Sequence, residues 1–95
     1  MTDHASGTNG RGDENHVSTL EKIKALEAEI QDLARQKQEH EEQARKFMQS
    51  EDRSAGKFYA REIFLHKRDK LRLEVEIEMR RKRIQRLRLG MEEFI

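Results

Sequence analysis

Ser50-Glu51-Asp52-Arg53-Ser54-Ala55-Gly56 is the stretch whose reading decides the fold. It is polar apart from Ala55, it holds the one glycine between residues 13 and 89, and the apolar periodicity differs on its two sides. Before it, Ile23, Leu26, Ile30, Leu33, Lys37, His40, Ala44 and Phe47 recur at alternating steps of three and four, the spacing of a seam between helices. Carried past residue 50, that register lands on Glu51, Ser54, Phe58, Arg61, Leu65, Arg68, Arg72, Val75, Met79, Lys82, Arg86 and Leu89, only five of the twelve apolar. A shifted frame restores it: Tyr59, Ile63, His66, Lys70, Leu73, Ile77, Arg80, Ile84, Leu87, Met91 and Phe94. The polar stretch therefore predicts a turn over about 50–56, joining helices at about 19–49 and 57–89.

Local signals agree with those limits. Ser18 stands three residues before Glu21, a spacing that lets the serine cap an orphan amide while the glutamate reaches back. Gly90 is placed to stop the second helix. Residues 1–17 carry Gly7, Gly10 and Gly12 among serine, threonine, asparagine and aspartate, with little to bury, and are expected to be a disordered tail. One stretch reads differently: Leu71, Leu73, Val75, Ile77 and Met79 alternate with charges at the period of a half-buried strand. No turn residue separates this run from Arg80–Leu89, so a strand here would be overlong and partnerless, and helix is the better reading.

Folding the chain about Arg53 brings seam residue onto seam residue. Phe47 meets Tyr59, Ala44 meets Ile63, His40 meets His66, Lys37 meets Lys70, Leu33 meets Leu73, Ile30 meets Ile77 and Ile23 meets Ile84. The fold expected for residues 18–95 is thus an all-α, antiparallel two-helix coiled-coil hairpin. A single continuous rod is the structural alternative and explains neither the register change nor the matched helix lengths.

Composition sets the class. Half of the 95 residues are Ala, Glu, Lys, Leu or Arg, which is the make-up of long helices, and only 20 are Leu, Ile, Val or Phe. A thin helical assembly lacks the walls of a preorganised pocket, and no Ser–His–acid arrangement or glycine-rich phosphate loop is present, so no enzyme, cofactor or catalytic residue is expected. Zero cysteines removes disulfides and cysteine zinc sites. The apolar runs are far short of the roughly 18 residues that a membrane span needs, and no secretory pattern opens the chain, so a cytoplasmic or nuclear setting is expected. Asp3–Glu14 has the length of a calcium loop but puts Ala5, Gly7 and Thr8 where ligands and the central glycine belong. Arg11-Gly12-Asp13 is read as a coincidence in a glycine-rich segment.

Three surface features remain. Phe58, Leu65, Val75, Met79 and Leu89, with Phe64 and Leu71 beside them, lie on the side of the second helix opposite its seam. A helix apolar on two sides is expected to be sandwiched, so this stripe is the candidate partner interface, most simply for a homodimer that forms a helical bundle. Second, Arg80, Arg81, Lys82, Arg83, Arg86 and Arg88 put six bases in nine residues, a candidate anion or nuclear-import patch, although Glu21, Glu27 and Glu29 come near them in the hairpin. The total charge of +1 hides +7 over residues 57–89. Third, Lys37, His40, His66 and Lys70 form a polar layer in the seam, expected to fix alignment and partner choice at some cost in stability. Two facing imidazoles also predict lower stability as pH falls below about 6.5; two histidines alone are too few for a metal site, and none is expected.

The function expected is a non-enzymatic coiled-coil interaction or assembly module, a scaffold or adaptor, whose stripe binds a copy of itself or another helical protein. A chaperone or inhibitor that masks a partner's helix would use the same surface. The alternative is a nucleic-acid-associated accessory protein using Arg80 to Arg88. That reading lacks an aromatic ladder for stacking, and Ile84 and Leu87 interrupt the bases as packing residues.

Overall fold

The computed structural model describes residues 2–90, with side chains from Ser18 onward. The described chain is two antiparallel helices, α1 (Thr2–Ser50) and α2 (Ala60–Arg88), packed side by side along the seam. The expected tail over residues 1–17, with its calcium-loop and Arg-Gly-Asp readings, falls outside the described side chains. So do Met91 and Phe94, the last two positions of the second seam.

Both seams are where periodicity put them. Every residue of the first seam is buried or half-buried, as is every described residue of the second. The tightest packing lies towards the open end, where Ile23, Leu26, Ile84 and Leu87 form a buried cluster with Ile30 against it. Ala44, Leu73 and Ile77 complete the buried set. This core is one residue deep, so no side chain is wholly shielded: the seven buried apolar residues keep 5–7% of their surface exposed. The 71–79 alternation also resolves. Two residues along a helix is a rotation of about 200°, so successive apolar residues swing to opposite sides. Leu73 and Ile77 enter the seam, while Leu71, Val75 and Met79 face out.

The connection is longer than the sequence implied, running from Glu51 to Tyr59 rather than 50–56. Its ends are joined by a single antiparallel bridge: the Asp52 N–H donates to the Lys57 carbonyl at 2.9 Å, and the Lys57 N–H returns to the Asp52 carbonyl at 2.8 Å. Inside it, the Asp52 carboxylate accepts from the Ser54 and Ala55 amides at 3.0 and 3.3 Å, an Asx-type turn. Gly56 closes the turn with φ +69°, a left-handed conformation that costs glycine nothing. Because Lys57 is the return leg of this bridge, α2 begins at Ala60 instead of 57, and the Glu51 carboxylate accepts from the Tyr59 N–H at 3.0 Å as the chain enters it. At the far end Gly90, φ +71°, donates to the Leu87 carbonyl at 3.1 Å and terminates α2 as expected.

Candidate docking face on the second helix

The polar layer lies near the middle of the hairpin. His40 and His66 approach Nδ1 to Nδ1 at 2.9 Å, their ring centroids 5.1 Å apart. Which ring nitrogen donates and which accepts depends on the tautomers of the two imidazoles. Phe47 stacks on His66 at 5.8 Å and tilts against Tyr59 at 5.3 Å, closing the layer on the turn side. The lysines do not face each other as the folding register implied. Lys37 Nζ reaches Glu74 on α2 at 3.3 Å, and Lys70 Nζ reaches Glu41 on α1 at 3.1 Å. Each helix thus offers a lysine and, four residues later, a glutamate, and the two offers cross. That spacing is visible in the sequence at 37/41 and 70/74, but the seam frame does not include the glutamates. Among the described residues, no three His, Cys, Asp or Glu side chains come together as a metal-holding group.

The basic stretch is continuous in sequence but not in space. Arg80 turns inward: its Nε donates to Glu29 on α1 at 2.7 Å, and a second guanidinium nitrogen donates to the Glu76 carboxylate at 2.6 Å. These two carboxylates, Glu76 foremost, hold the Arg80 guanidinium above its ordinary pKa. Arg88 reaches Glu27 at 3.3 Å, and Arg81 approaches Glu78 at 3.9 Å. Two of the glutamates expected near these bases, Glu27 and Glu29, are therefore engaged with them. Lys82 points outward and makes no ion pair with a described residue. Arg86 is half-buried, and its Nε finds no hydrogen-bond partner among the described groups.

The outer stripe is present with two changes. Phe64, Leu71, Val75 and Met79 on one face of α2, and Leu89 at its C-cap, are 58–63% exposed. Phe58 is exposed too, but it belongs to the connection and not to the helix. Leu65 is half-buried: one position before His66, it leans towards the seam side. The crest of this face, opposite the seam, carries Arg61, Arg68, Val75, Lys82 and Leu89 at seven-residue steps, all exposed. Sequence reasoning placed the apolar members of this face and passed over the bases among them, because it treated charge by segment. Arg68 and Arg72 lie 3.6 and 4.0 Å from Asp69.

No helix among the described residues is long and apolar enough to cross a membrane. No family model, curated protein or solved structure matches this chain.

Proposed function

We propose that this chain is a non-enzymatic helical-hairpin interaction module, a scaffold or adaptor. Its seam holds α1 to α2, and the outer face of α2 docks a second copy or another helical protein. One observation carries the reading: four large apolar side chains, Phe64, Leu71, Val75 and Met79, lie exposed in line on one helix, with Leu89 at its C-cap. Isolated apolar residues are ordinary on a protein surface, but an aligned row on a rigid helix is the form that helix recognition takes. A groove of about 610 Å³ runs beside the seam, lined by Glu27, Ile30, Arg81, Ile84, Gln85, Arg88 and Leu89. Three of its seven lining residues, Glu27, Arg81 and Arg88, are charged and three, Ile30, Ile84 and Leu89, are apolar, a mixed and open groove more suited to binding than to enclosing a substrate. The setting that goes with the reading is the cytoplasm or nucleus.

The test is the triple substitution Leu71→Glu, Val75→Glu, Met79→Glu. These side chains are outside the seam, so circular dichroism should report unchanged helicity. Self-association in sedimentation equilibrium, or retention of specific partners in affinity purification, should be lost. Unchanged association would reject the stripe as the docking face.

The second reading, a nucleic-acid-associated accessory protein, is favoured by the +7 charge of residues 57–89. Its stretch is divided, however, with Arg80 and Arg88 held by glutamates and Lys82 alone turned to the crest. Mobility shifts at low and physiological salt decide it, and absence of binding at both removes it.

A further inference from the structure

The stripe on α2 is not uniformly apolar, and the order of its residues narrows what can cover it. Along the outer face, Leu71, Val75 and Met79 form one apolar block, bracketed by Arg68 on one side and Lys82 on the other. The brackets are two heptads apart, about 21 Å at 1.5 Å per residue. Of the acids of α2, Glu74 turns to Lys37, Glu76 to Arg80 and Glu78 towards Arg81, while the half-buried Asp69 lies 3.6 Å from Arg68; Lys82 makes no ion pair with a described residue.

We infer that the occupant of this face is an acidic amphipathic helix of a different protein, carrying two carboxylates about fourteen residues apart with apolar residues on the same side between them. This rests on the proposal that the outer face of α2 is a docking surface, and it names the partner's chemistry.

Each alternative occupant meets the bracket badly. An antiparallel copy that stacks Val75 on Val75 and Leu71 on Met79 sets Arg68 against Lys82 twice. A parallel copy sets Arg68 on Arg68 and Lys82 on Lys82. Every two-fold arrangement that joins the apolar blocks therefore opposes like charges at both ends, which is a device that discriminates against the wrong partner. A lipid surface fits no better. Helices that lie in a membrane interface keep their bases on the polar flank, whereas Arg68 and Lys82 stand on the crest in line with Val75, where insertion would drive them deepest. A partner helix answers the same layers one by one: apolar against the block, a carboxylate at each base.

The experiment uses the full chain and two synthetic helical peptides. One carries glutamates fourteen residues apart with leucines between them on the same face; the other is identical except for lysines at those two positions. Fluorescence anisotropy at physiological salt should show the glutamate peptide binding roughly tenfold more tightly or better, the size expected from two exposed charge pairs. The Arg68→Glu, Lys82→Glu double variant should reverse the preference with helicity unchanged. Equal binding of the two peptides, or binding of neither, overturns the inference. It is also overturned if the full chain dimerises and Val75→Glu abolishes the dimer, a result that leaves the docking face intact and makes a second copy its occupant. Preferential binding to phosphatidylcholine–phosphatidylserine vesicles overturns it in favour of a lipid surface. If the chain neither self-associates nor binds peptide or vesicle through Leu71, Val75 and Met79, the docking face itself is lost.

Discussion

His40 on α1 and His66 on α2 share one hydrogen bond, Nδ1 to Nδ1 at 2.9 Å, across the seam of the hairpin. The contact places two polar rings where the rest of the seam is mainly apolar, and it can form at only one alignment of the two helices. Its role is specification more than strength.

Replacing both histidines by leucine should raise the melting temperature. Two half-buried imidazoles and one hydrogen bond give way to apolar contact, an exchange that is nearly neutral or stabilising. A single His40→Leu should do the opposite, because His66 keeps a ring nitrogen in the half-buried layer without its partner. Thermal melts of the two variants beside the parent chain check both signs. The double variant should also lose uniqueness, seen as broadened methyl resonances.

Arg80 joins the helices by holding Glu29 on α1 and Glu76 on its own helix. Exposed ion pairs contribute about 0–1 kcal/mol each, and this one is fastened on two sides. Arg80→Ala should therefore lower the melting temperature by a few degrees, given the roughly 4–8 °C per kcal/mol expected of a domain this small. The difference between parent and variant should shrink in 1 M salt, where the Debye length falls to about 3 Å.

Gly56 sits at φ +69° with open space around the position a Cβ would take. Gly56→Ala should cost about 1 kcal/mol through backbone conformation alone, with no steric clash to repair. Gly56→Asn should cost less, since asparagine tolerates the left-handed region. Urea denaturation with an unchanged m-value would check that the loss is one of stability and not of fold.

Leu71 and Leu73 are the same residue type two positions apart, one 60% exposed and the other 5%. Leu73→Ala should destabilise by about 2–3 kcal/mol, the lower part of the range for buried leucines because the seam is thin. Leu71→Ala should fall within about 0.5 kcal/mol of the parent. Equal effects in chemical denaturation would contradict the assignment of the two faces.

Much of this arrangement was legible in the order of residues. A helical seam must place apolar or layer-forming groups every three or four positions, and Ile23, Leu26, Leu73, Ile77, Ile84 and Leu87 obey that constraint and are buried. The register across the seam followed from one turn position, and His40 with His66 and Phe47 with Tyr59 meet where it put them. What was not legible depends on three-dimensional closure. Lys57 and Phe58 are as compatible with helix as with anything else, and only the backbone bridge from Asp52 to Lys57 withholds them from α2. The crossing pairs Lys37–Glu74 and Lys70–Glu41 depend on which flank of each helix meets the other, a rotation that a list of seam positions does not contain. Leu65 likewise shows as an outer residue by frame and as a half-buried one by the side it shares with His66.

The bridged turn also orders events in time. Contacts in this hairpin are graded by sequence separation, from Asp52 with Lys57 at the tip, through His40 with His66 at 26 residues, to Arg80 with Glu29 at 51. Loop-closure entropy rises only slowly with each added layer once the preceding layer is in place. Folding is therefore expected to run as a zipper from Asp52–Lys57 towards Ile23 and Ile84. Substitutions near the tip should slow folding, whereas those at the open end should mainly hasten unfolding.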